Sequence, residues 1–354
     1  RWIASIRSFV QGRQPGAATA AAMRQVVNMR GKRFPNIRQW RELPRFLTAE
    51  EQRVARIALG LAVISGIALG GHLWLSRQTT TAAIGGSYIE GALGTPQYIN
   101  PLYATGSDVD SDLTRLVYSG LLRYDGSQGL VPDIAENYTV SEDQKTYTFT
   151  LHNGITWHDG ENLSANDVVF TITAIQNPEY QSPLAVSFAG TSITAPDERT
   201  VVFTLQEPFA PFLAALTVGI LPAHLWEEVV PQSAPLAPWN TKPIGSGPYI
   251  FSKLIKDSRG ALRSITLTRN PNFYRGTVYV KEITMKFYTD LAELTEAVRN
   301  KNVEGASVLA AQDAQSLAKD GVIALGAPRL SQFTAAFFNQ KHSAVLAEDV
   351  VRQA

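Results

Sequence analysis

An α/β chain with mixed sheets flanked by helices, preceded by one transmembrane helix, is the fold class the sequence predicts, and three observations carry it. Tyr147, Phe149 and Leu151 alternate with Thr146, Thr148 and Thr150, the two-residue period of a half-buried strand. Ser164 stands three residues before Asp167, the spacing of a capping box, ahead of the apolar helix face of Val168, Val169 and Ile172. Residues 57–75 form a stretch of nineteen without a formal charge, long enough at about 1.5 Å per residue to cross a hydrocarbon core of ~30 Å.

The elements follow in order. Residues 1–56 hold twelve Arg or Lys against Glu42, Glu50 and Glu51, so this head is strongly basic, whereas the rest holds 20 basic and 28 acidic residues. Within the head, 17–27 reads as a helix, and 33–45 mixes Arg with Phe34 and Trp40, a pattern suited to an anionic membrane surface. A basic head also suits nucleic acid, and that alternative stays open at this point. Thr48 to Glu51 reads as an N-cap leading into the apolar helix. The basic excess lies before the span, so the positive-inside rule places 1–56 in the cytoplasm and everything after 77 outside. His72 and Trp74 then sit near the outer interface. A buried soluble helix and a cleaved signal peptide are the alternatives; the basic flank and the length of the stretch speak for a span. Gly66 and Gly70 form a GxxxG pair, read either as a dimer face or as small residues that a span tolerates.

A Thr/Ala/Gly linker closes at Gly86, and 87–92 reads as a strand. Ser111 to Tyr118 is an amphipathic helix that Gly120 is expected to close. Glu142-Asp143-Gln144 is turn chemistry joining 138–140 to 146–151 as a hairpin. Asp159-Gly160 marks a second turn, in which Gly takes positive φ and the Asp159 carboxylate accepts backbone N–H groups. A helix over 165–175 ends near Asn177-Pro178; strands at 193–195 and 200–205 flank the Pro196 to Arg199 turn; a helix begins around Glu207 to Leu213; a strand covers 265–269 and a helix 291–301.

The residue inventory excludes much chemistry. With 0 Cys there is no disulfide framework, Fe–S cluster or thiol chemistry in this stretch. His152 and His158 lack the third ligand that zinc needs, so no metal and no cofactor is expected. Gly245-Ser246-Gly247 is not a GxSxG elbow, GxxxxGK[ST] is absent, and no catalytic residue is assigned. The sequons at Asn137 and Asn162 are taken as chance.

Longer motifs add a resemblance. Val131-Pro132-Asp133, Ala135-Glu136, Ser141-Glu142-Asp143, Trp157-His158-Asp159-Gly160 and Ala165-Asn166-Asp167-Val168 recur at fixed spacing in the extracellular solute-binding proteins of family 5, the peptide, dipeptide and nickel receptors of bacterial ABC importers. So do Ile99-Asn100-Pro101-Leu102, Leu221-Pro222-Ala223-His224, Pro243 to Tyr249, Arg269-Asn270-Pro271 and Phe337-Phe338-Asn339, with Glu348 to Ala354 at the end. The chain is identified as a member on this basis, over 85–354. One departure is Asn302-Val303-Glu304-Gly305, which stands where the family carries an acidic motif end. Another is the absent lipid-bearing Cys, whose role as anchor falls to 57–75.

The resemblance implies a periplasmic-binding-protein-like fold of the type II class. Charge and hydropathy give a basic cytoplasmic segment 1–56, a transmembrane helix 57–76 and a linker 77–86; the resemblance adds a first lobe from 87–126 and 200–305, an extra subdomain 127–199, and the start of a second lobe at 306–354. The chain lacks an initial Met and ends inside an apparent helix start, so truncation at both ends is expected, with most of the second lobe missing. The implied function is the extracytoplasmic substrate-binding component of an ABC importer, held at the cell membrane by its single span, without enzymatic activity. Its implied partners are peptides, the ABC permease subunits with separate ATPase chains, and no nucleic acid. A receptor of the same fold for a nickel chelate or an oligosaccharide, a sensing role, and a membrane-anchored hydrolase are the alternatives. By motif alignment, ligand contacts fall at Thr105, Gly106 and Ser107, at Leu184, at Ser307 and Leu309 on the hinge side, and at Phe333 and Ala335. The acidic residue that grips a peptide amine in such relatives falls beyond Ala354.

Overall fold

The computed structural model describes residues 48–76 and 83–326. The expected helix at 17–27, the basic-aromatic segment at 33–45, Phe333, Ala335 and the two C-terminal motifs lie outside the described residues. Two compact units divide at Thr81.

In the first unit, helix α1 (Ala49–Ser76) runs for 28 residues. It starts where the N-cap reading places it. Thr48 N–H donates to Glu51 Oε2 at 2.8 Å, and Glu51 N–H returns to Thr48 Oγ1 at 3.5 Å, a reciprocal capping box. None of its side chains is buried, and Leu61, Ile64, Ile67, Leu69 and Trp74 point outward on every side. A helix apolar all round lacks the polar face of an interfacial amphipath. It is long and apolar enough to cross a membrane.

The second unit carries the α/β body. Strand β1 (Gly85–Leu93) leads into helix α2 (Asp108–Val117). Strands β2 (Leu122–Asp125) and β3 (Gly129–Pro132) form a two-stranded ribbon. Strands β4 (Ala135–Val140) and β5 (Thr146–Leu151) then form the expected hairpin, followed by helix α3 (Ala165–Gln176) and strands β6 (Thr191–Asp197) and β7 (Thr200–Leu205). Short helices α4 (Phe212–Ala215) and α5 (Ala223–Trp226) precede strands β8 (Tyr249–Lys256), β9 (Leu262–Arg269) and β10 (Val280–Tyr288). Helix α6 (Leu291–Arg299), strand β11 (Gly305–Ala306) and helix α7 (Ala311–Lys319) complete the described chain.

The larger sheet has five strands in the order β11-β1-β10-β9-β8, with β1 parallel to both neighbours and the rest antiparallel. The smaller is the antiparallel β4-β5-β7-β6. In β5 the alternation predicted from sequence is met residue for residue: Tyr147, Phe149 and Leu151 are buried. Facing them on β7 are Phe203 and Val201, paired with Tyr147 and Phe149. Phe149 and Phe203 meet edge to face at 5.7 Å, and Phe203 meets Phe212 at 5.4 Å. Such ring pairs contribute about 0.5–1.5 kcal/mol each beyond area burial. The turn before β5 needs positive φ at Gln144 (φ 55), a residue type that does not announce it.

Pleating divides β1 between two cores. Ala92 joins the main core with α2, α3 and both sheets, while Ile89 packs into a smaller cluster with Ala297, Val298, Val303 and Leu317. Gly91 lets α6 lie close, since a Cβ there would come 2.5 Å from Leu294 Cδ1.

Two expectations need correction. Gly120 does not cap α2. The helix ends in an extended Tyr118, and Gly120 instead bridges to Gly219; a Cβ at Gly120 would stand 2.7 Å from the Val218 carbonyl oxygen. The helix expected from Glu207 is only the four-residue α4. Pro208 and Pro211 supply no N–H, so a helix cannot establish itself before Phe212 turns into the core.

Candidate ligand-binding site

The loop after Pro101 is built on Asn100, which is wholly buried. Its Oδ1 accepts the Leu102 N–H at 2.9 Å, and its Nδ2 donates to Asn240 Oδ1 at 2.9 Å. Asn240 Nδ2 in turn donates to the Ala234 carbonyl at 2.7 Å. A buried amide chain with its partners in place fixes the loop from below. Above it, Thr105 and Gly106 lie exposed in a 3-10 turn over Ala104–Gly106. Ser107 is half-buried and caps α2, its hydroxyl accepting from Asp110 N–H at 3.4 Å. The helix therefore begins three residues earlier than the sequence suggested.

Ser182 brings the second expected segment to the first. Its hydroxyl donates to the Leu102 carbonyl at 2.7 Å and accepts the Leu184 N–H at 3.3 Å. Leu184 is half-buried and opens a 3-10 turn over Ala185–Phe188. Between the segments stands Tyr103, which sequence reasoning missed. Its ring lies 5.3 Å from that of Tyr98, and its hydroxyl is buried with no hydrogen-bond partner among the described residues. Burial, with the neighbouring Tyr180 and Tyr98, pushes its pKa up to about 12. The available signal was an aromatic residue directly after Asn-Pro-Leu.

On the hinge side, β11 pairs with Glu90 and Gly91 of β1. Glu304 clamps that junction: its N–H donates to the Ile89 carbonyl at 2.8 Å, and its carboxylate accepts the Ile89 N–H at 2.8 Å. Ser307 is exposed, whereas Leu309 packs on the smaller core cluster. Tyr88 donates to Glu90 Oε2 at 2.5 Å. Burial raises the Glu90 pKa, and the charge of Asp112 adds to it, while the Tyr88 hydroxyl and the Ser307 backbone pull the other way. Burial and the nearby Asp108 likewise raise Asp112, against the opposing charge of Arg115. Glu90 thus lies electrostatically between the 307 segment and α2, whose N-cap is Ser107. No spacing rule marks this juxtaposition in the sequence, because it depends on a strand pairing across some two hundred residues.

The Trp157 to Gly160 motif is scaffold. The His158 N–H donates to the Gly245 carbonyl at 2.9 Å. Its ring Nδ1 accepts the Gly245 N–H at 3.2 Å, and Nε2 meets the Gly247 carbonyl at 3.1 Å. Both ring nitrogens are thereby occupied by backbone, which sets the neutral tautomer with the proton on Nε2. Burial lowers its pKa. His152 lies elsewhere, against Tyr274. Among the described residues no group of three or more His, Cys, Asp or Glu gathers to hold a metal. Asp159 accepts the Glu161 N–H at 3.2 Å, as its turn requires, and meets His224 Nε2 at 2.8 Å. Asp167 holds two motifs at once, accepting the Ser164 N–H at 2.8 Å and the Ala223 N–H at 2.8 Å.

Comparison with known proteins agrees with this architecture. The family model described as bacterial extracellular solute-binding proteins, family 5 Middle, matches residues 129–354. A Brucella ovis protein named for ABC transporter peptide binding is 34% identical over 248 residues, covering 68% of this chain and 45% of its own length. NikZ from Campylobacter jejuni, solved with Ni(L-His), aligns with a TM-score of 0.60 at 30% identity over 66% of this chain and 45% of that one. The oligopeptide-binding protein AppA from Bacillus subtilis, solved with a nonapeptide, aligns at 0.62 with 25% identity over 68% and 47%. This chain spans about half the length of these relatives. It belongs to family 5 of the bacterial extracellular solute-binding proteins.

Proposed function

We propose that the chain is part of the extracytoplasmic substrate-binding component of an ABC importer, taking peptides between two lobes and delivering them to a permease. Its relation at 34% identity to a protein named for peptide binding is the observation that carries this reading. In this reading 87–126 and 200–305 form the first lobe, 127–199 an added subdomain, and 306–354 the start of the second lobe. Ligand contacts come from Thr105, Gly106, Ser107, Leu184, Ser307, Leu309, Phe333 and Ala335. Main-chain pairing supplies affinity, and side-chain pockets tolerate many sequences. The receptor has no chemistry of its own. Helix α1 spans the cell membrane with 1–56 in the cytoplasm, supported by its all-round apolar surface and the basic flank before it.

A nickel chelate is the second reading, favoured by the likeness to NikZ bound to Ni(L-His). Calorimetry on the full-length receptor separates the two. Heat of binding with a random tripeptide-to-nonapeptide mixture and none with nickel–histidine supports peptides; the reverse pattern overturns the peptide assignment.

A further inference from the structure

Four Asx-Gly dipeptides lie in the described chain: Asp125-Gly126, Asn153-Gly154, Asp159-Gly160 and Asp320-Gly321. Three of them are tied down. The Asp125 carboxylate accepts from the Ser127 N–H at 3.0 Å and the Ser127 hydroxyl at 2.6 Å. The Asp159 carboxylate is held by the Glu161 N–H and His224, and the Gly160 N–H donates to the Trp157 carbonyl at 3.0 Å. The Gly321 N–H donates to the Ala318 carbonyl at 3.1 Å. At Asn153-Gly154 both residues are exposed, Gly154 has φ +74, and neither the Asn153 carboxamide nor the Gly154 N–H has a hydrogen-bond partner among the described residues.

We propose that Asn153-Gly154 is a self-modifying turn, where Asn153 converts without an enzyme to aspartyl and isoaspartyl forms. The Gly154 nitrogen, losing its proton to water or hydroxide, attacks Asn153 Cγ. A bond forms between that nitrogen and Cγ, the Cγ–Nδ2 bond breaks, and Nδ2 leaves with a proton as ammonia. One water then opens the resulting succinimide. Cleavage at Cγ restores the original main chain with an aspartate. Cleavage at the α-carbonyl carries the chain through Cβ and Cγ and leaves a free α-carboxylate. No oxidant or reductant is needed. Glycine favours the step because it has no Cβ to obstruct the approach of its nitrogen.

The flanks decide the consequence. Leu151 and Ile155 are 1% and 2% exposed, so the turn protrudes from two fixed ends. The His152 N–H is bonded to the Ile134 carbonyl at 3.0 Å, and the Ile155 carbonyl accepts the Leu163 N–H at 3.0 Å. An isoaspartyl residue adds one methylene to the main chain between these anchors and one negative charge beside His152. The aspartyl form adds the charge alone.

The test ages the full-length protein in mildly alkaline buffer and maps its peptides by a method that separates Asn, Asp and isoAsp. Asn153 is expected to convert severalfold faster than Asn162, an exposed asparagine followed by Leu163. N153Q is expected to abolish conversion at this position while leaving the circular dichroism unchanged. The isoaspartyl fraction should melt below the parent, and N153D should melt close to it. Conversion at Asn153 no faster than at Asn162 overturns the proposal, as does an isoaspartyl content equal in N153Q and the parent.

Discussion

The Nδ1 atom of His158 accepts the backbone N–H of Gly245 at 3.2 Å. This contact ties the turn after the β4–β5 hairpin to the loop before β8. The other face of that loop is seated on α2, where the Gly247 N–H donates to the Val117 carbonyl at 2.8 Å. Two motifs almost ninety residues apart in the chain are therefore one mechanical joint.

Replacing His158 by Ala should orphan one group in particular. The Gly247 carbonyl keeps the Asn270 Nδ2 donor at 3.1 Å, but the Gly245 N–H loses its only acceptor among the described residues. A buried donor left unmade costs about 1–3 kcal/mol. H158N places an amide oxygen near the Nδ1 position and should recover part of the loss. Chemical denaturation of the three proteins checks the order.

The same side chain sets a pH dependence. Burial holds the folded-state pKa of His158 below its ordinary 6.5. The neutral ring is thus the native form, and its contribution is fully present above the unfolded pKa. As pH falls from there, the unfolded chain takes up the proton first, and the contribution is lost down to the folded pKa. The hydrogen bond to the Gly247 carbonyl, and after it Asp159, itself paired with His224, oppose this shift only in part. H158N should show a shallower fall in melting temperature between neutrality and mild acid than the parent. Parallel curves for the two proteins would refute the assignment.

Gly245 is required for a different reason. A Cβ there would overlap the Val117 carbonyl oxygen, and that oxygen belongs to helix backbone and cannot move aside cheaply. G245A should lower stability by more than about 3 kcal/mol, beyond the usual range for a single substitution. Gly126 faces open space, so G126A is the matched control and should be near neutral. Thermal melts of the two variants provide the comparison.

These joints explain how much could be read in advance. The β5 alternation, the Ser164–Asp167 box and the turn at Asp159-Gly160 are local, because each depends on spacing within a few residues, and each is found where the periodicity placed it. The role of His158 was not legible, since its partners come from a loop outside any local window. Gln144 at positive φ carries no compositional mark. In the candidate site, Thr105 and Gly106 are expectations of motif alignment, while the packing of Tyr103 and the approach of Glu90 to Asp112 and Ser307 depend on contacts between separate elements of the fold. Gly120 misled for the opposite reason: a glycine near a helix end imitates a cap, yet here it serves a close approach of two backbones.

The absence of cysteine makes membrane topology directly testable. A single Cys placed at Ser8 or at the exposed Ser258 gives a unique reactive thiol in this sequence. With α1 as a span and the basic head inside, an impermeant maleimide should label S258C in spheroplasts and S8C only after lysis. Equal labelling of both before lysis would contradict the proposed orientation.

Ser182 offers the sharpest test of the candidate site. Its hydroxyl both donates to the Leu102 carbonyl and accepts the Leu184 N–H, so it couples the loop bearing Thr105 to the segment bearing Leu184. S182A removes both bonds at a 7% exposed position. Its stability cost should be about 1–2 kcal/mol, because the loop is still fixed from below by Asn100. In the full-length receptor, ligand affinity should fall about tenfold as the two segments lose register, a change equivalent to ~1.4 kcal/mol. Tyr103→Phe, which removes a buried hydroxyl that has no partner among the described residues, should by contrast leave stability unchanged or improved. Isothermal titration beside thermal melts separates the outcomes. Unchanged affinity in S182A with a lowered melting temperature would show that these two segments do not meet the ligand.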